Sequence, residues 1–329
     1  MLLFKKRPQR GPLLASLNIT YRCNQSCSYC NTHNLKSSAK ELDTKELYKL
    51  LKELKDLGVC FLSITGGEPL LRQDLQQVLK YAKKLKFIIN LNTNGSMPEK
   101  LYRLAKHVDI DNICISIDSL QPDCYKNIKK QPIIIKQVLG SIKLLSKLRK
   151  RRSKRIMLRT ILKPNNISMV ESLIEYAEQN KLPLIIQPFH NLNKSSLHHS
   201  KQYISKDTSD KYVFQEIFLR LRKRYRFLRQ FFYSHISDFL FNKNKLRKHF
   251  KCYCGFFNLK IDPYGNIYPC QHMSFYIDNA KNRSLQSILS SKSFIDFRKE
   301  SKLKNCICYC YSPASILNLN LNRAVLKKV

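Results

Sequence analysis

The sequence contains no tryptophan, only eight glycines and only 23 acidic residues among 329 positions. Sixty lysines and arginines oppose those acids, so the formal net charge is +37 and the surface attracts anions. No stretch approaches the ~18 uninterrupted apolar residues that a membrane span needs. Because 43% of the residues are hydrophobic, the chain can bury a substantial core, which excludes intrinsic disorder and a small disulfide scaffold.

Twelve cysteines are too few per residue for a disulfide-stapled secreted module. The first twenty residues contain no apolar stretch of the kind found in signal peptides, so we expect a cytoplasmic protein with reduced thiols. In that setting clustered cysteines indicate metal binding or catalysis. Three scattered cysteines, Cys60, Cys114 and Cys124, are instead predicted to be buried spectator thiols.

Short apolar runs alternate with segments of helical period between about residues 14 and 190. Six strands are predicted, at 14–20, 59–64, 87–92, 112–118, 155–162 and 184–188. Helices are predicted between them, at 44–57 with Asp43 as its cap, at 75–85 and at 133–148. This pattern predicts an α/β fold, a partial (β/α)6 barrel whose chemistry lies at the C-terminal ends of its strands.

Composition divides the chain into five predicted regions. These are an N-terminal extension (1–13), the core barrel (14–190), a linker with a basic aromatic helical region (191–250), a cysteine-rich module (251–311) and a C-terminal tail (312–329). A turn sequence at 262–266 separates two apolar runs and predicts a small β-hairpin within the fourth region. A module this short needs a metal for its stability.

Three cysteines, Cys23, Cys27 and Cys30, follow the first predicted strand within eight residues. Three thiolates on one loop can converge on a single metal centre. Because a structural zinc or a fully ligated iron–sulfur cluster takes four protein ligands, three leave one metal valence open for an exchangeable ligand. The alternative is a zinc site that takes a distant fourth ligand such as His33.

A second motif, Gly66-Gly67-Glu68-Pro69, closes the second strand and opens a helix. Paired glycines let the backbone approach a ligand closely, and the neighbouring carboxylate can accept an ammonium group. Alone, this motif is also compatible with a plain tight connection. Its position one strand–helix unit after the cysteine loop makes a shared site the stronger interpretation.

Together with 92–95 (Asn-Thr-Asn-Gly) and 116–118 (Ser-Ile-Asp), these two motifs resemble the radical S-adenosylmethionine (radical SAM) enzymes over roughly residues 14–190. The resemblance implies that the three cysteines hold a 4Fe–4S cluster and that the amine and carboxylate of SAM chelate its open iron. It further implies reductive cleavage of SAM to a 5'-deoxyadenosyl radical, which abstracts a substrate hydrogen.

The resemblance also assigns cofactor-binding roles. It implies that Tyr29 packs near the adenine of SAM and that Gly66, Gly67 and Glu68 meet the methionyl amine. Four positions correspond to residues that often line the SAM pocket: Thr93, Asn94, Ser116 and Asp118. Arg159 is a candidate for the SAM carboxylate, and an exposed strand-edge arginine is the alternative. Strand alternation independently groups Asn112, Cys114, Ser116 and Asp118 on one face, which we expect to look into the barrel.

Six cysteines flank the predicted hairpin: Cys252, Cys254, Cys270, Cys306, Cys308 and Cys310. Cys254, Gly265 and Cys270 match the Cys-x(9–15)-Gly-x4-Cys element of the auxiliary-cluster domains called SPASM and twitch. The three late cysteines depart from the fuller SPASM pattern, which favours one auxiliary 4Fe–4S cluster over two. Its implied ligands are Cys252, Cys254 and Cys270 with one of the three late cysteines; a zinc ribbon is the alternative.

Positive charge is concentrated at 141–160, with nine lysines or arginines and no acid, and at 219–251, with eleven against Asp238 alone. These stretches are either solvated helix faces or binding surfaces for RNA, an acidic peptide, a phosphorylated metabolite or an anionic membrane. Residues 225–233 interleave aromatic and basic side chains, as an interfacial helix or a base-stacking platform does.

The resemblance therefore implies a radical SAM enzyme for peptide modification or small-molecule oxidation. Its expected partners are an electron donor such as ferredoxin or flavodoxin and an anionic substrate: a peptide, a small molecule or RNA. Two alternatives stay open, radical SAM modification of RNA or a membrane lipid, and a non-enzymatic, basic, zinc-binding nucleic-acid protein. The second alternative explains the charge and the late cysteines but not the Gly-Gly-Glu-Pro motif.

Overall fold

The computed structural model describes residues 12–30, 32–35, 38–122, 135–149, 155–162, 166–188, 254–271, 273 and 275–303. The strands there are β1 (Leu14–Thr20), β2 (Phe61–Gly66), β3 (Ile88–Thr93), β4 (Asn112–Ser116), β5 (Arg155–Leu162), β6 (Leu184–Pro188), β7 (Asn258–Ile261), β8 (Asn266–Tyr268) and β9 (Asp278–Asn279). The α-helices are α1 (Thr44–Asp56), α2 (Leu75–Lys84), α3 (Pro98–His107), α4 (Ile135–Arg149), α5 (Ile167–Gln179), α6 (Leu285–Leu289) and α7 (Lys292–Leu303).

All of these strands join one sheet, in the order β6-β5-β4-β3-β2-β1-β7-β8-β9. Strands β1 to β7 run parallel, and β8 and β9 continue the sheet antiparallel. The predicted α/β architecture, a partial (β/α)6 barrel, is confirmed. The C-terminal hairpin extends the sheet of the barrel, because β7 pairs with β1 from Leu14 to Leu17.

One face of the sheet packs against the helices and forms the core. In β5, Ile156, Leu158 and Leu162 belong to this core, Thr160 is buried on the same face, and the residues that alternate with these four are less buried. Ile113 and Ile115 of β4 follow the same alternation. We call the face that turns away from the helices the inner face. In β4 it carries, as predicted, Asn112, Cys114 and Ser116.

Helix α1 begins at the predicted cap. The Asp43 side chain accepts a hydrogen bond from Glu46 N, and the Glu46 side chain accepts one from Asp43 N. This reciprocal capping box satisfies backbone donors that the first helical turn leaves unpaired. Four leucines then bury one face of the helix, Leu47, Leu50, Leu51 and Leu54. The chain is thereby fixed shortly after the loop that follows β1.

The predicted bounds of β1, β5 and β6 are confirmed, whereas β2 and β3 begin two residues and one residue later than predicted, and β4 ends at Ser116 and not at 118. Val59 and Phe87 explain the difference, because both are buried core residues that precede the first ladder pairs. Cys114 is buried as predicted. The prediction for Cys60 is wrong, since this residue is exposed immediately before β2. Cys124 lies outside the described residues.

The C-terminal module packs directly on the barrel. Helix α6 is capped by Ser284, and the backbone N–H of Leu285 donates to the Glu53 carboxylate of α1 over 2.7 Å. The predicted regions 1–13, 191–250 and 312–329 lie almost entirely outside the described residues, so the five-region division stays a prediction. No described helix combines the length and the apolar character needed to cross a bilayer.

Candidate active site

The three N-terminal cysteines lie on the loop that leaves the C-terminal end of β1, which we call the cluster loop (residues 21–30). All three are partly exposed. The backbone N–H of Cys30 donates to Cys27 O over 3.0 Å, which folds the last turn of the loop. The Cys27 thiol donates to the Gln25 side chain over 3.4 Å, and Cys30 Sγ lies 3.0 Å from the Thr32 hydroxyl. The structure therefore gathers the predicted thiols at one strand end.

The chemistry of these thiols fits an iron–sulfur cluster. Burial first, and then negative charge at Glu68, Cys27 and Cys30, raise the pKa of Cys23 to about 11. The three sulfurs are thus close enough to interact, and bound iron would favour their thiolate forms. Within the described ranges no three His, Cys, Asp or Glu side chains are placed so that they could hold a single metal ion. A cluster differs from a single ion, because each cysteine binds a different iron atom.

The Gly66–Gly67 pair packs against the start of the cluster loop. Gly67 N donates to Thr20 O over 2.7 Å, and Glu68 N donates to Arg22 O over 2.9 Å. A Cβ atom on Gly66 would lie 2.3 Å from Thr20 O, and one on Gly67 would lie 2.2 Å from Arg22 O. Both distances are far below van der Waals contact. The close approach that the sequence predicted for a ligand is therefore made, in this structure, by the backbone at the end of β1 and at the start of the cluster loop.

The Glu68 carboxylate is completely buried and collects three donors. Its Oε1 atom accepts from Leu70 N and from the Thr93 hydroxyl, and its Oε2 atom accepts from Asn94 N over 2.7 Å. Burial nevertheless raises the pKa of Glu68 to about 7, although these hydrogen bonds favour the charged form. The structure thus brings together three of the predicted site residues at the ends of β2 and β3.

Two residues that the sequence analysis missed connect β3 to the cluster loop. Asn24 Nδ2 donates to the Ser96 hydroxyl, and Asn94 Nδ2 donates to Asn24 Oδ1, each over 2.9 Å. Asn24 is one of the three residues between Cys23 and Cys27. The cysteine motif fixes the number of these residues but not their type. Only its polar amide, placed beside a predicted metal ligand, could have pointed to this role.

Asp118 connects the cluster loop to the other side of the barrel. Its carboxylate is 1% exposed, and its Oδ2 atom accepts from the Tyr29 hydroxyl over 2.5 Å. Its Oδ1 atom accepts from the Thr160 hydroxyl and from Ile161 N of β5. Both oxygens are therefore engaged by the protein itself. The hydrogen bonds of Asp118 connect the cluster loop to β5. The role that the resemblance implies, a residue of the SAM pocket, stays a prediction.

Arg159 and Ser116 lie side by side on the inner face, since they are register partners of β5 and β4. The Nε atom of Arg159 is buried and finds no hydrogen-bond partner in the described part of the chain, which is costly for a cationic donor. A carboxylate or phosphate group placed there would satisfy it. The predicted alternative, an exposed edge arginine, is wrong, because β5 lies between β4 and β6 and Arg159 is partly buried.

The two described C-terminal cysteines lie together. Cys254 and Cys270 are 7% and 8% exposed and share a small apolar cluster with Tyr268 and Met273. Buried thiols placed close together offer the soft ligands that an iron–sulfur cluster takes. The remaining predicted ligands, Cys252, Cys306, Cys308 and Cys310, lie outside the described residues, as does the side chain of His33.

Curated proteins similar to this chain include GTP 3',8-cyclases. A probable GTP 3',8-cyclase of Methanothermobacter thermautotrophicus is 32% identical over 126 residues, 38% of this chain and 41% of the relative. The GTP 3',8-cyclase of Lactiplantibacillus plantarum is 31% identical over 194 residues, 57% of each chain. The chain thus matches less than two thirds of the length of either protein.

Two solved structures resemble the fold over 88% of this chain. Streptococcus suis SuiB bound to precursor peptide SuiA gives a TM-score of 0.67 at 16% identity, with 67% of its own chain covered. The protein anSMEcpe with bound AdoMet gives a TM-score of 0.65 at 17% identity, with 83% covered. At such low identities these likenesses describe the fold.

Two domain families match the sequence itself. Residues 17–177 match the radical SAM superfamily, and residues 252–311 match the iron–sulfur cluster-binding domain called SPASM. Neither match favours the alternative of a zinc-binding nucleic-acid protein. Since both matches fall on the regions where the structure gathers cysteines, the chain belongs to the radical SAM superfamily and carries a SPASM domain at its C-terminal side.

Proposed function

We propose that this chain is an enzyme that cleaves SAM reductively and abstracts a hydrogen atom from an anionic substrate. The observation that carries the proposal is the packing of Gly66-Gly67-Glu68 against the three-cysteine cluster loop. A bound 4Fe–4S cluster supplies the electron for cleavage, delivered by a donor such as ferredoxin or flavodoxin. The roles of the protein are to hold the cluster, orient SAM and shield the reacting atoms.

Cys23, Cys27 and Cys30 hold the cluster in this proposal. The Gln25 side chain beside Cys27 and the Thr32 hydroxyl beside Cys30 stand within hydrogen-bond distance of the sulfurs. Hydrogen bonds to ligand sulfurs stabilise the more negative, reduced state. Three cysteines would leave one iron atom without a protein ligand. The amine and carboxylate of SAM could bind that iron, so cofactor and co-substrate would meet at the end of β1.

Glu68 would accept a hydrogen bond from the SAM amine, and Thr93 and Asn94 fix its carboxylate for that purpose. An approaching N–H donor favours the charged form of a buried carboxyl group whose pKa lies near 7. Arg159 takes the SAM carboxylate through a guanidinium group whose buried Nε has no hydrogen-bond partner among the described residues. In the same proposal Gly66 and Gly67 hold the backbone near the methionyl end, Ser116 lines the pocket, and Tyr29 and Asp118 fix the loop beside the adenine.

The SPASM region holds an auxiliary 4Fe–4S cluster through Cys252, Cys254 and Cys270 with one of Cys306, Cys308 and Cys310. The support is the shared burial of Cys254 and Cys270. An auxiliary cluster on β7 and β8 lies beside the barrel, where it can bind substrate or accept an electron from the substrate radical. Either use requires that its distance from the cluster loop be fixed.

The proposed substrate is an anionic small molecule or peptide. The chain carries a net charge of +37, and no aspartate or glutamate lies on the inner face of the described strands β1 to β6. Relatives of the chain are named GTP 3',8-cyclases, and the structurally similar SuiB binds a precursor peptide. A nucleoside triphosphate and an acidic precursor peptide are therefore the two substrates to test.

Anaerobic reconstitution with iron and sulfide tests the radical mechanism. We expect about eight irons per chain, as two 4Fe–4S clusters require, and 5'-deoxyadenosine from SAM with dithionite. Cys27→Ala should abolish cleavage, whereas Cys60→Ala, which changes an exposed cysteine away from the loop, should leave it intact. Zinc in place of iron, or equal cleavage by the two variants, would contradict the proposal.

The substrate class is tested by turnover with GTP and, separately, with a synthetic acidic precursor peptide. The true class should raise 5'-deoxyadenosine formation above the substrate-free rate and yield a product that liquid chromatography separates from the substrate. Cys270→Ala should keep uncoupled SAM cleavage and lose product. If neither probe stimulates cleavage, an anionic nucleotide or peptide is the wrong class.

A further inference from the structure

Lys260 is a buried cation that the proposed mechanism does not use. It lies on the inner face of β7, in register with Ser16 of β1 and Tyr268 of β8. Only 8% of the residue is exposed, and its Nζ atom lies 4.2 Å from the centre of the Tyr268 ring. Within the described part of the chain the Lys260 ammonium group forms no hydrogen bond and no ion pair.

Asp262, two residues along the same face, supplies a negative charge that favours the ammonium form of Lys260. Its carboxylate also accepts hydrogen bonds from Tyr264 N, from the backbone and side chain of Asn266, and from the Tyr268 hydroxyl. Burial nevertheless lowers the pKa of Lys260, and the contact with the Tyr268 ring offsets part of the cost of burying the charge. A second negative charge near Lys260 would stabilise its ammonium form further.

The neighbourhood of Lys260 indicates where that charge resides. Tyr268, against which Lys260 packs, belongs to the same buried cluster as Cys254 and Cys270. A negative charge at Cys270, like that of Asp262, favours the ammonium form of Lys260. Four thiolates around a 4Fe–4S core give a net negative charge, and reduction increases it.

We propose that the Lys260 ammonium group sets the reduction potential of the auxiliary cluster by stabilising its reduced state. This inference rests on the proposed auxiliary site, and it adds a residue that is not a ligand. The cation acts through space on the cluster that Cys254 and Cys270 help to hold. Because the charge of the cluster becomes more negative on reduction, a fixed positive charge nearby raises its midpoint potential.

The test is an EPR-monitored redox titration of the full-length chain in a Cys27→Ala background, which leaves the auxiliary cluster as the signal. Lys260→Met removes the charge and keeps the length of the side chain; Lys260→Gln is a second neutral variant, and Lys260→Arg keeps the charge. We expect the neutral variants to lower the reduction equilibrium constant about tenfold, or 59 mV for one electron. Lys260→Arg should stay near the parent value.

Lys281→Met is the matched control. Lys281 belongs to the same module, but it is ion-paired with Glu46 and partly exposed, so its removal should leave the midpoint unchanged. An unchanged midpoint in Lys260→Met and Lys260→Gln, with the cluster signal intact, would overturn the inference while leaving the auxiliary site in place. Unchanged midpoints with weaker GTP binding would assign Lys260 to the substrate instead. If Cys270→Ala does not alter the iron content, the auxiliary site itself is wrong.

Discussion

The hydrogen bond between Tyr29 and Asp118 ties the cluster loop to a part of the chain 89 residues away. Tyr29 lies between two proposed iron ligands, whereas Asp118 is buried beside β5. Tyr29→Phe removes one hydroxyl and keeps the ring. We expect this variant to loosen the cluster loop, because the buried Oδ2 atom of Asp118 loses its donor.

The magnitude follows from the geometry. Asp118 Oδ1 keeps Thr160 and Ile161 as donors, so the change affects one oxygen only. A hydrogen bond to a charged group contributes about 1.5–3 kcal/mol. We therefore expect Tyr29→Phe to lower the unfolding free energy of the cluster-free protein by about 2 kcal/mol. Because SAM binding must then reorder the loop, its Kd should rise about tenfold, which corresponds to ~1.4 kcal/mol.

The assay is anaerobic urea unfolding of the cluster-free protein, followed by equilibrium binding of SAM to the reconstituted protein. Tyr48→Phe is the matched control, since the Tyr48 ring stacks on Tyr81 at 4.3 Å on the helical side of the sheet. Tyr29→Phe combined with Asp118→Asn should be less than additive, because both changes break the same bond. Equal effects of Tyr29→Phe and Tyr48→Phe, or full additivity of the pair, would refute the reasoning.

Three further variants test other contacts of the site. Gly67→Ala should reduce iron incorporation and thermal stability, because the added Cβ would lie 2.2 Å from a backbone oxygen. Gly140→Ala is the control, since its Cβ would have its nearest contact at 3.8 Å and should change neither property. Iron analysis and melting curves measure the two effects. The pKa of Glu68 is raised on folding from 4.5 to about 7, so the folded state holds the proton more tightly and stability should fall as pH rises through that interval. Glu68→Gln should remove about 2 kcal/mol of the decline that urea unfolding shows between pH 5 and pH 7, and an unchanged decline in the variant would contradict the assignment. Arg72→Leu should lower the unfolding free energy by about 3 kcal/mol, because the buried Arg72 side chain, 6% exposed, joins Asp74 to two backbone carbonyls. A loss below ~1 kcal/mol in urea unfolding would show that the ion pair contributes little to stability.

Short apolar runs were sufficient to predict most strands of the barrel. They gave the bounds of β1, β5 and β6, where the apolar run and the strand coincide. They missed the starts of β2 and β3, since Val59 and Phe87 are apolar core residues outside the ladders, and they missed the end of β4. An apolar run reports burial, whereas strand bounds depend on hydrogen bonds to a neighbouring strand. For the same reason the apolar runs did not predict that β7 pairs with β1.

The motifs of the site were readable from the sequence because each is local. The cysteines fall within eight residues, and Glu68 follows its glycines directly. The contacts between motifs were not readable, since the bond from Tyr29 to Asp118 and that from Asn24 to Ser96 depend on how the sheet curves. Asp118 shows the consequence: its position beside the site was predictable, but its engagement by protein donors was not.

Strand β1 connects the two proposed iron sites. Its C-terminal end leads into the cluster loop, and its edge pairs with β7 from Leu14 to Leu17. β7 leads from Cys254 toward the hairpin that ends at Cys270, so both sites depend on neighbouring strands of one sheet. Main-chain hydrogen bonds hold such strands about 4.8 Å apart, which no flexible linker can do. If electrons pass between the auxiliary site and the substrate, this ladder is the element that keeps their distance constant from one turnover to the next.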